Sequence, residues 1–249
     1  SESKPSEIIR KNLLKKTKKS YYLIYNSIYN QIEICEGTTH IESHLFDGYD
    51  IEKVFIPSSV VEIQDNAFYQ CKNLTTVSLK CMNLKSIGKS AFSDCENLKS
   101  FIMPDNVNVI EDYTFKGCKK LENIKLPNTL EVIKEKAFAG CDSLTEVILP
   151  KTIKKIGFGA FKKCKNLKIF VIPGVIYIHP SYNNNDDDDE KYEEASVQNF
   201  IIPAKCFAKC REFETVIIKQ KCQIIEDSAF YLCSKLTEIN FELSKGTKI

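Results

Sequence analysis

Apolar residues return at a nearly constant interval along most of the chain. The interval is easiest to follow on a phenylalanine that usually follows an alanine, and successive copies lie 24, 23, 23, 23, 46 and 23 residues apart. A cysteine follows each of them by three residues, and a leucine or phenylalanine follows that cysteine by three more. A fixed period in the twenties is typical of a solenoid, whose coils bury their apolar residues against their neighbours. The phenylalanines are Phe68, Phe92, Phe115, Phe138, Phe161, Phe207 and Phe230.

Each repeat is predicted to contain a short strand. Between Leu74 and Leu79 apolar and polar residues alternate, which indicates a strand with one buried face. Stacked repeats place such strands side by side, so the sheet should be parallel. The Ala-Phe-x-x-Cys stretch is then expected to cross the far side as a tight turn or a short helical piece. A second buried position is predicted at Ile63, Ile87, Ile110, Ile133, Ile156 and Ile225.

These elements together resemble the BspA-like leucine-rich repeats. The resemblance rests on the recurring Leu-x-x-Val-x-Leu-Pro, Ile-x-x-x-Ala-Phe and Phe-x-x-Cys patterns and covers roughly residues 32–241. It implies a right-handed, horseshoe-like solenoid with a parallel β-sheet on its concave face. It also implies a surface for binding other proteins or cell-surface molecules. Because the family shares no catalytic residues, we expect no enzyme activity, no cofactor and no metal site.

The repeat divides the chain into three parts. We predict an N-terminal helical cap over residues 1–30, a repeat domain over 31–243 and a tail over 244–249. A helix starting near Ser6 would shield the open end of the solenoid. Because several lysines follow, the same segment could instead be a basic amphipathic helix that contacts an anionic surface.

The interval of 46 residues marks a break in the rhythm. Either one coil has lost its pattern or a segment has been inserted, and we favour an acidic, Asn/Asp-rich insertion at about 179–199. Such a run cannot bury enough apolar surface to order itself. A calcium-binding or basic-partner loop is the alternative, although the alternating ligands and the glycine turn of a known calcium loop are missing.

Composition narrows the classes of partner. The formal net charge is +2, from 35 basic and 33 acidic residues, which gives no reason to expect nucleic acid. No apolar run is long enough for a membrane span. His40 and His44 are four residues apart and would share a helical face, but they fall on a degenerate copy of the repeat and lack a third metal ligand nearby.

The chain has 11 cysteines, seven of them in the periodic row. We predict that this row is buried and reduced, with each thiol acting as a small apolar group. Reduced cysteines favour the cytoplasm, whereas the family resemblance permits the cell surface, so the compartment stays open. Occasional pairing is the alternative for Cys35, Cys81, Cys206 and Cys222.

The candidate binding site is the outward face of the strands. An apolar row on a face that should meet water is typical of a protein-binding surface, although β-branched residues also favour strands for local reasons. The outward position of successive strands is occupied by Phe55, Ser78, Ile102, Lys125, Ile148, Val171, Ile217 and Asn240. We predict that the binding residues are Phe55, Ile102, Lys125, Ile148, Ile169, Val171 and Ile217.

The leading hypothesis is therefore a protein-interaction module whose partner the sequence does not identify. One alternative is a cell-surface adhesin that binds host or matrix molecules. Another is a structural segment that self-associates through an uncapped C-terminal repeat, because an uncovered solenoid end exposes strand edges and apolar residues.

Overall fold

The computed structural model describes residues 23–26, 28–80, 83–173, 200–219 and 222–241. Every regular element in these ranges is a short strand. The strands are Leu23–Asn26 (β1), Gln31–Ile34 (β2), His40–Ile41 (β3), Lys53–Ile56 (β4), Glu62–Ile63 (β5), Thr76–Leu79 (β6), Ser86–Ile87 (β7), Ser100–Ile102 (β8), Val109–Ile110 (β9), Asn123–Lys125 (β10), Val132–Ile133 (β11), Glu146–Ile148 (β12), Lys155–Ile156 (β13), Ile169–Ile172 (β14), Phe200–Ile202 (β15), Thr215–Ile218 (β16), Cys222–Ile225 (β17) and Glu238–Phe241 (β18).

The chain winds as a parallel β-solenoid of about eight coils spaced about 23 residues apart, which confirms the predicted fold class. We name each coil after its turn phenylalanine, from the Phe46 coil to the Phe230 coil. A coil contributes one strand to a long-strand sheet, one to a short-strand sheet and a turn to the third side. The long-strand sheet has the strand orders β1-β2-β4-β6, β8-β10 and β12-β14-β16-β18, and the short-strand sheet has β3-β5-β7, β9-β11-β13 and β15-β17.

The third side, which we call the turn side, contains turns and no helix in the described part of the chain. The residues two before and two after each turn phenylalanine have positive φ, for example Lys136 at 49° and Gly140 at 77° around Phe138. An α-helix requires consecutive right-handed residues, so two left-handed residues per turn exclude it. Of the two predicted alternatives, the tight turn is confirmed and the helical piece is wrong.

The turns form a third hydrogen-bonded ladder. The amide of each turn phenylalanine donates to the carbonyl before the next one, as from Phe115 N to Ala137 O at 2.8 Å. The phenylalanine rings stack from coil to coil with centroids 5.0–5.9 Å apart. All the turn phenylalanines from Phe46 to Phe207 are fully buried, so this stack is the centre of the core.

Each cysteine of the periodic row also forms a hydrogen bond to a neighbouring coil, which the sequence analysis did not predict. Its thiol donates a hydrogen bond to the carbonyl of the turn phenylalanine in the preceding coil, as from Cys118 Sγ to Phe92 O at 3.2 Å. The row is thus a set of donors as well as apolar filler. Its members are Cys71, Cys95, Cys118, Cys141, Cys164, Cys210 and Cys233.

Burial keeps these thiols protonated. Desolvation raises the pKa of Cys118 and Cys141, which are fully buried, and raises the pKa of the partly buried Cys233 to about 12. The row cysteines are all free, and all except the partly buried Cys233 are buried as predicted. Cys35 and Cys206 are also free, while Cys81 and the side chain of Cys222 lie outside the described residues.

The N-terminal prediction needs a correction. The helix expected to start near Ser6 lies outside the described residues, but the described part of the 1–30 cap contains strand β1, and helix is wrong there. Strand β1 precedes β2 in the chain and pairs with it antiparallel, from Leu23 opposite Ile34 to Asn26 opposite Gln31. It therefore covers the edge of the long-strand sheet with main-chain hydrogen bonds.

The last coil also departs from the prediction. Ile225 is 43% exposed, whereas its counterparts Ile133 and Ile156 are buried. Strand β17 pairs only with β15 among the described strands, so no further coil packs over Ile225. A repeat position is buried only when both neighbouring coils are present.

The coils on either side of the 46-residue interval are direct neighbours. Phe161 N donates to Cys206 O at 3.0 Å, and the Phe161 and Phe207 rings stack at 5.9 Å. Strand β14 also pairs in register with β16. The interval therefore holds one coil, and the alternative of a second coil without the pattern is wrong. The insertion predicted at about 179–199 and the calcium-loop alternative fall within residues 174–199, outside the described residues.

Candidate functional site

The seven predicted binding residues lie together on the long-strand sheet. Ile148, Val171 and Ile217 occupy matching positions on β12, β14 and β16, and Ile102 is paired with Lys125 across β8 and β10. Ile169 shares strand β14 with Val171 two residues away, so both side chains point to the same side. Phe55 extends the row towards the N-terminus.

The apolar residues of this row fall into two groups by their exposure to solvent. Ile102, Ile148 and Ile169 are 66%, 58% and 38% exposed, whereas Phe55, Val171 and Ile217 are only partly exposed. Their strand neighbours on the other side, among them Phe101, Val147 and Phe170, are buried in the core. We call the outward set, Phe55, Ile102, Ile148, Ile169, Val171 and Ile217, the apolar stripe.

Interruptions of the sheet explain the most exposed members. Among the described strands, β6 does not pair with β8, and β10 does not pair with β12. Next to the second interruption, Ile124 and Leu126 of the β10 region are only partly buried. Ile102 on β8 therefore lies next to the first interruption and Ile148 on β12 next to the second, with Lys125 of β10 between them. Strands β8 and β12 each have a hydrogen-bonded neighbour on one side among the described strands, whereas Val171 on β14 has one on both sides.

Polar residues border the stripe. Glu146 and Thr215 flank Ile169 in register, and Lys53 lies between Gln31 and Thr76 on the N-terminal strands. An apolar centre with a polar border is the usual anatomy of a protein-binding patch.

The histidine pair does not converge on one site. The Nδ1 of His44 lies 3.0 Å from Asp47 Oδ2, whereas the Nε2 of His40 lies 3.6 Å from Glu62 Oε2. No set of three His, Cys, Asp or Glu side chains in the described residues is arranged to hold a metal ion. A shallow polar depression next to Tyr49, with Asp50 and Lys72 among its lining residues, lies where the turns of the first coils end.

The turn side carries a charged feature that the sequence analysis missed. Residues 157–165 and 203–211 form the turns of two neighbouring coils and contain six basic residues and no Asp or Glu. The signal was present at fixed offsets from Phe161 and Phe207.

Comparison with known proteins decides the family. The model of the BspA type leucine-rich repeat region matches in six copies over residues 15–119, 85–185 and 200–249, most of the chain. The chain belongs to the BspA-type leucine-rich repeat family. The BspA-type repeats are non-enzymatic modules, and this chain is a non-enzyme. A search of curated proteins found no match.

Solved structures share the BspA-type solenoid. A leucine-rich cell surface protein from Faecalibacterium prausnitzii is 24% identical, with a TM-score of 0.51 and 90% of this chain and 76% of that chain covered. The Treponema pallidum (T. pallidum) leucine-rich repeat protein is 21% identical, with a TM-score of 0.51 and coverages of 89% and 90%. The pneumococcal vaccine antigen PcpA is 18% identical, with a TM-score of 0.54 and coverages of 88% and 67%. At these identities the likeness concerns the fold.

The described part of this BspA-type chain contains no helix with the length and hydropathy needed to cross a bilayer.

Proposed function

We propose that this chain is a protein-interaction module that binds a protein partner through the apolar stripe of its long-strand sheet. The observation that carries the proposal is the exposure of Ile102 and Ile148. Each side chain is more than half exposed to solvent although it lies on a strand of the long-strand sheet. Large exposed aliphatic side chains in one row favour association over a purely structural role.

The scaffold beneath the stripe supports tight binding. Each outward residue alternates with buried neighbours, as Ile148 does with Val147 and Leu149. The backbone is therefore already ordered before binding, and little conformational entropy remains to be lost. Lys125 and Glu146 at the border supply charges of both signs that can select a partner and its orientation.

Substitution of the stripe tests the proposal. The triple variant Ile102→Ser, Ile148→Ser and Ile217→Ser is expected to lose the partners that the unaltered chain captures from its source cells, as measured by quantitative mass spectrometry. The outward positions do not contribute to the core, so the thermal unfolding midpoint should change by only a few degrees.

A matched control removes apolar surface elsewhere. Ile201 and Tyr231 are 37% and 55% exposed and lie outside the long-strand sheet. The double variant Ile201→Ser and Tyr231→Ser should retain the captured partners. Unchanged capture by the triple variant, or equal loss in the control, contradicts the assignment of the binding face.

Self-association through the Phe230 coil is a second candidate function. Ile225 and Leu232 of this coil are 43% and 55% exposed, and β18 pairs only with β16 among the described strands. An exposed strand edge beside apolar side chains favours end-to-end contact between two copies.

Light scattering over a range of concentrations tests this second candidate. A mass that rises towards the dimer, and that falls back to the monomer in Leu232→Asp, supports contact through the Phe230 coil. A monodisperse monomer at high concentration rejects it. If the dimer is lost in the triple stripe variant but not in Leu232→Asp, the apolar stripe is the surface through which two copies associate.

A further inference from the structure

The turn side changes its charge along the solenoid. In the Phe161 and Phe207 coils the turns present lysines without any acidic residue between residues 157 and 165 or between 203 and 211. The stacked coils bring these lysines together, because Gly159 N donates to Ala204 O and Lys163 N donates to Ala208 O. The face we call the basic turn face consists of Lys136, Phe158, Lys162, Lys163, Lys205 and Lys209.

Several lysines outside the centre of this face form an ion pair with an acidic residue, in most cases one of the adjacent coil. Lys119 pairs with Glu96 at 2.9 Å, Lys134 with Glu111 at 2.7 Å and Lys165 with Asp142 at 2.6 Å. Within the described residues, no ion pair joins an acidic side chain to the four central lysines of the basic turn face. These four are Lys162, Lys163, Lys205 and Lys209.

The neighbouring lysines act on the ammonium group of Lys162. The pKa of Lys162 is lowered, first by burial and then by repulsion from neighbouring lysines, with Lys205 and Lys163 the largest contributors. Like charges held close together on a rigid backbone favour an anionic ligand that relieves the repulsion.

An exposed aromatic ring lies within this face. Phe158 is 37% exposed, and the ammonium groups of Lys136 and Lys205 lie 5.3 and 5.8 Å from its ring centroid. Gly159 and Ala208 are buried in these turns, and side-chain atoms of Lys136 and Lys162 lie next to Gly159. The result is one partly exposed ring over which an ammonium group of each neighbouring coil lies.

The chemistry of the face distinguishes between anionic polymers. The four central cations are lysines, which act as point charges, whereas planar, bidentate recognition of phosphate favours arginine. Single-stranded nucleic acid is usually held on several aromatic platforms, and here a single ring is exposed among the residues of this face. One ring with flanking cations suits the apolar face of a sugar that carries acidic groups.

We propose that the basic turn face binds an anionic polysaccharide, with the exposed part of Phe158 contacting a sugar ring and Lys162, Lys163, Lys205 and Lys209 contacting its sulfate or carboxylate groups. The coils place successive rows about 5–6 Å apart, as the ring centroids of Phe138, Phe161 and Phe207 show. Such a row of cations can follow a linear chain across several coils. This site lies on the turn side and is separate from the apolar stripe.

Titration with a heparin octasaccharide tests the proposal on the full chain. The quadruple variant Lys162→Gln, Lys163→Gln, Lys205→Gln and Lys209→Gln should bind it about tenfold more weakly or worse, because each lost charge contact contributes a modest amount. Phe158→Ala should weaken binding by a few-fold without changing its salt dependence. Circular dichroism and thermal unfolding establish that the variants are folded.

A control of equal charge separates the site from net charge. Lys80, Lys85, Lys99 and Lys168 are exposed lysines away from the basic turn face. The variant with all four changed to Gln should bind the octasaccharide within about twofold of the unaltered chain. Equal loss in this control would show a nonspecific effect of net charge and overturn the assignment.

Binding of other anionic polymers tests whether the ligand is a polysaccharide. Polyglutamate and single-stranded DNA of matched charge should bind more weakly than the octasaccharide, and Phe158→Ala should leave polyglutamate binding unchanged. Tighter or equal binding of either polymer, or failure of the octasaccharide to bind, overturns the proposal. The triple stripe variant should bind the octasaccharide normally, so failure here and failure of the proposed protein-binding face give different results.

Discussion

The turn side and the long-strand sheet are built from the same coils but differ in continuity. On the turn side the ladder from phenylalanine amide to neighbouring carbonyl continues from Phe46 to Ala229. The long-strand sheet, in contrast, is divided into three hydrogen-bonded groups among the described strands. Hydrogen bonding between coils is therefore regular on the turn side and varies from coil to coil in the long-strand sheet.

This difference has a physical cause. From the Phe68 coil to the Phe230 coil, each turn combines two left-handed residues, a stacked ring and a thiol donor. Few other residues or backbone conformations fit there, because each of these parts contacts a neighbouring coil. A short strand with one outward face tolerates almost any outward side chain. We infer that stability resides mainly in the turn side, whereas the outward strand positions are available for binding.

Raising the pH should produce the largest change in the free energy of unfolding, because it acts on all the row thiols of the turn side together. Burial raises the pKa of the row thiols, such as Cys95 and Cys118, above the value of about 8.5 expected in the unfolded chain. Above that pH the unfolded chain loses protons that the folded chain retains, so stability is complete below about pH 8.5 and falls as the pH rises. Each buried thiol contributes about 1.4 kcal/mol per pH unit.

Urea unfolding under reducing conditions at pH 7.5, 9 and 10 measures this slope. The single variant Cys118→Ser should be less sensitive to pH by about one proton. A free energy of unfolding that stays constant from pH 7.5 to 10 would contradict the role of the buried thiols.

Truncation of the ring stack should have the next largest effect. Phe115 is fully buried and stacks on Phe92 and Phe138 at 5.7 and 5.5 Å, so Phe115→Ala should cost about 3–5 kcal/mol. Ile102→Ser, on the exposed strand position, should cost less than about 1 kcal/mol. Chemical denaturation of both variants compares the two sides directly, and similar losses would refute the division between them.

The left-handed turn positions can be tested at Gly140. Its φ is 77°, and the nearest atoms that an added Cβ would meet lie 3.8 Å away, so any cost comes from the backbone conformation. Gly140→Ala should destabilise by about 1–2 kcal/mol. Ala139→Gly, at the adjacent position without positive φ, is the matched control and should cost no more than about 1 kcal/mol. Thermal unfolding that ranks the two in the opposite order would exclude strain at the turn.

The thiol hydrogen bond should have the smallest effect. If Cys118 is a donor to Phe92 O, Cys118→Ser retains the donor and should be more stable than Cys118→Ala by about 1 kcal/mol. If the thiol only fills space, alanine should be the better replacement, because the serine hydroxyl would be buried at a cost. Urea midpoints of the two variants distinguish these outcomes.

The sequence predicted the interior more accurately than the surface. Phe115 and Ile133 could be placed in the core because their period requires a neighbour on each side. Ile225 carries the same signal, but it is exposed because no described strand pairs with the outer edge of β17. The outward direction of Ile102 followed from strand alternation, whereas its high exposure also depends on the interruption between β6 and β8, which is not visible in the pattern.

By itself the sequence determined the repeat, the stacked coils, the parallel strands and the buried row of phenylalanine and cysteine, because a fixed period of apolar residues can be buried in few other ways. Only the tertiary structure decided that the turns are left-handed at two positions, that the thiols donate to phenylalanine carbonyls and that β1 covers the sheet edge. It also decided that lysines from the Phe161 and Phe207 coils, far apart in sequence, form one face. These features arise from contacts between coils, and such contacts exist only after the coils have stacked.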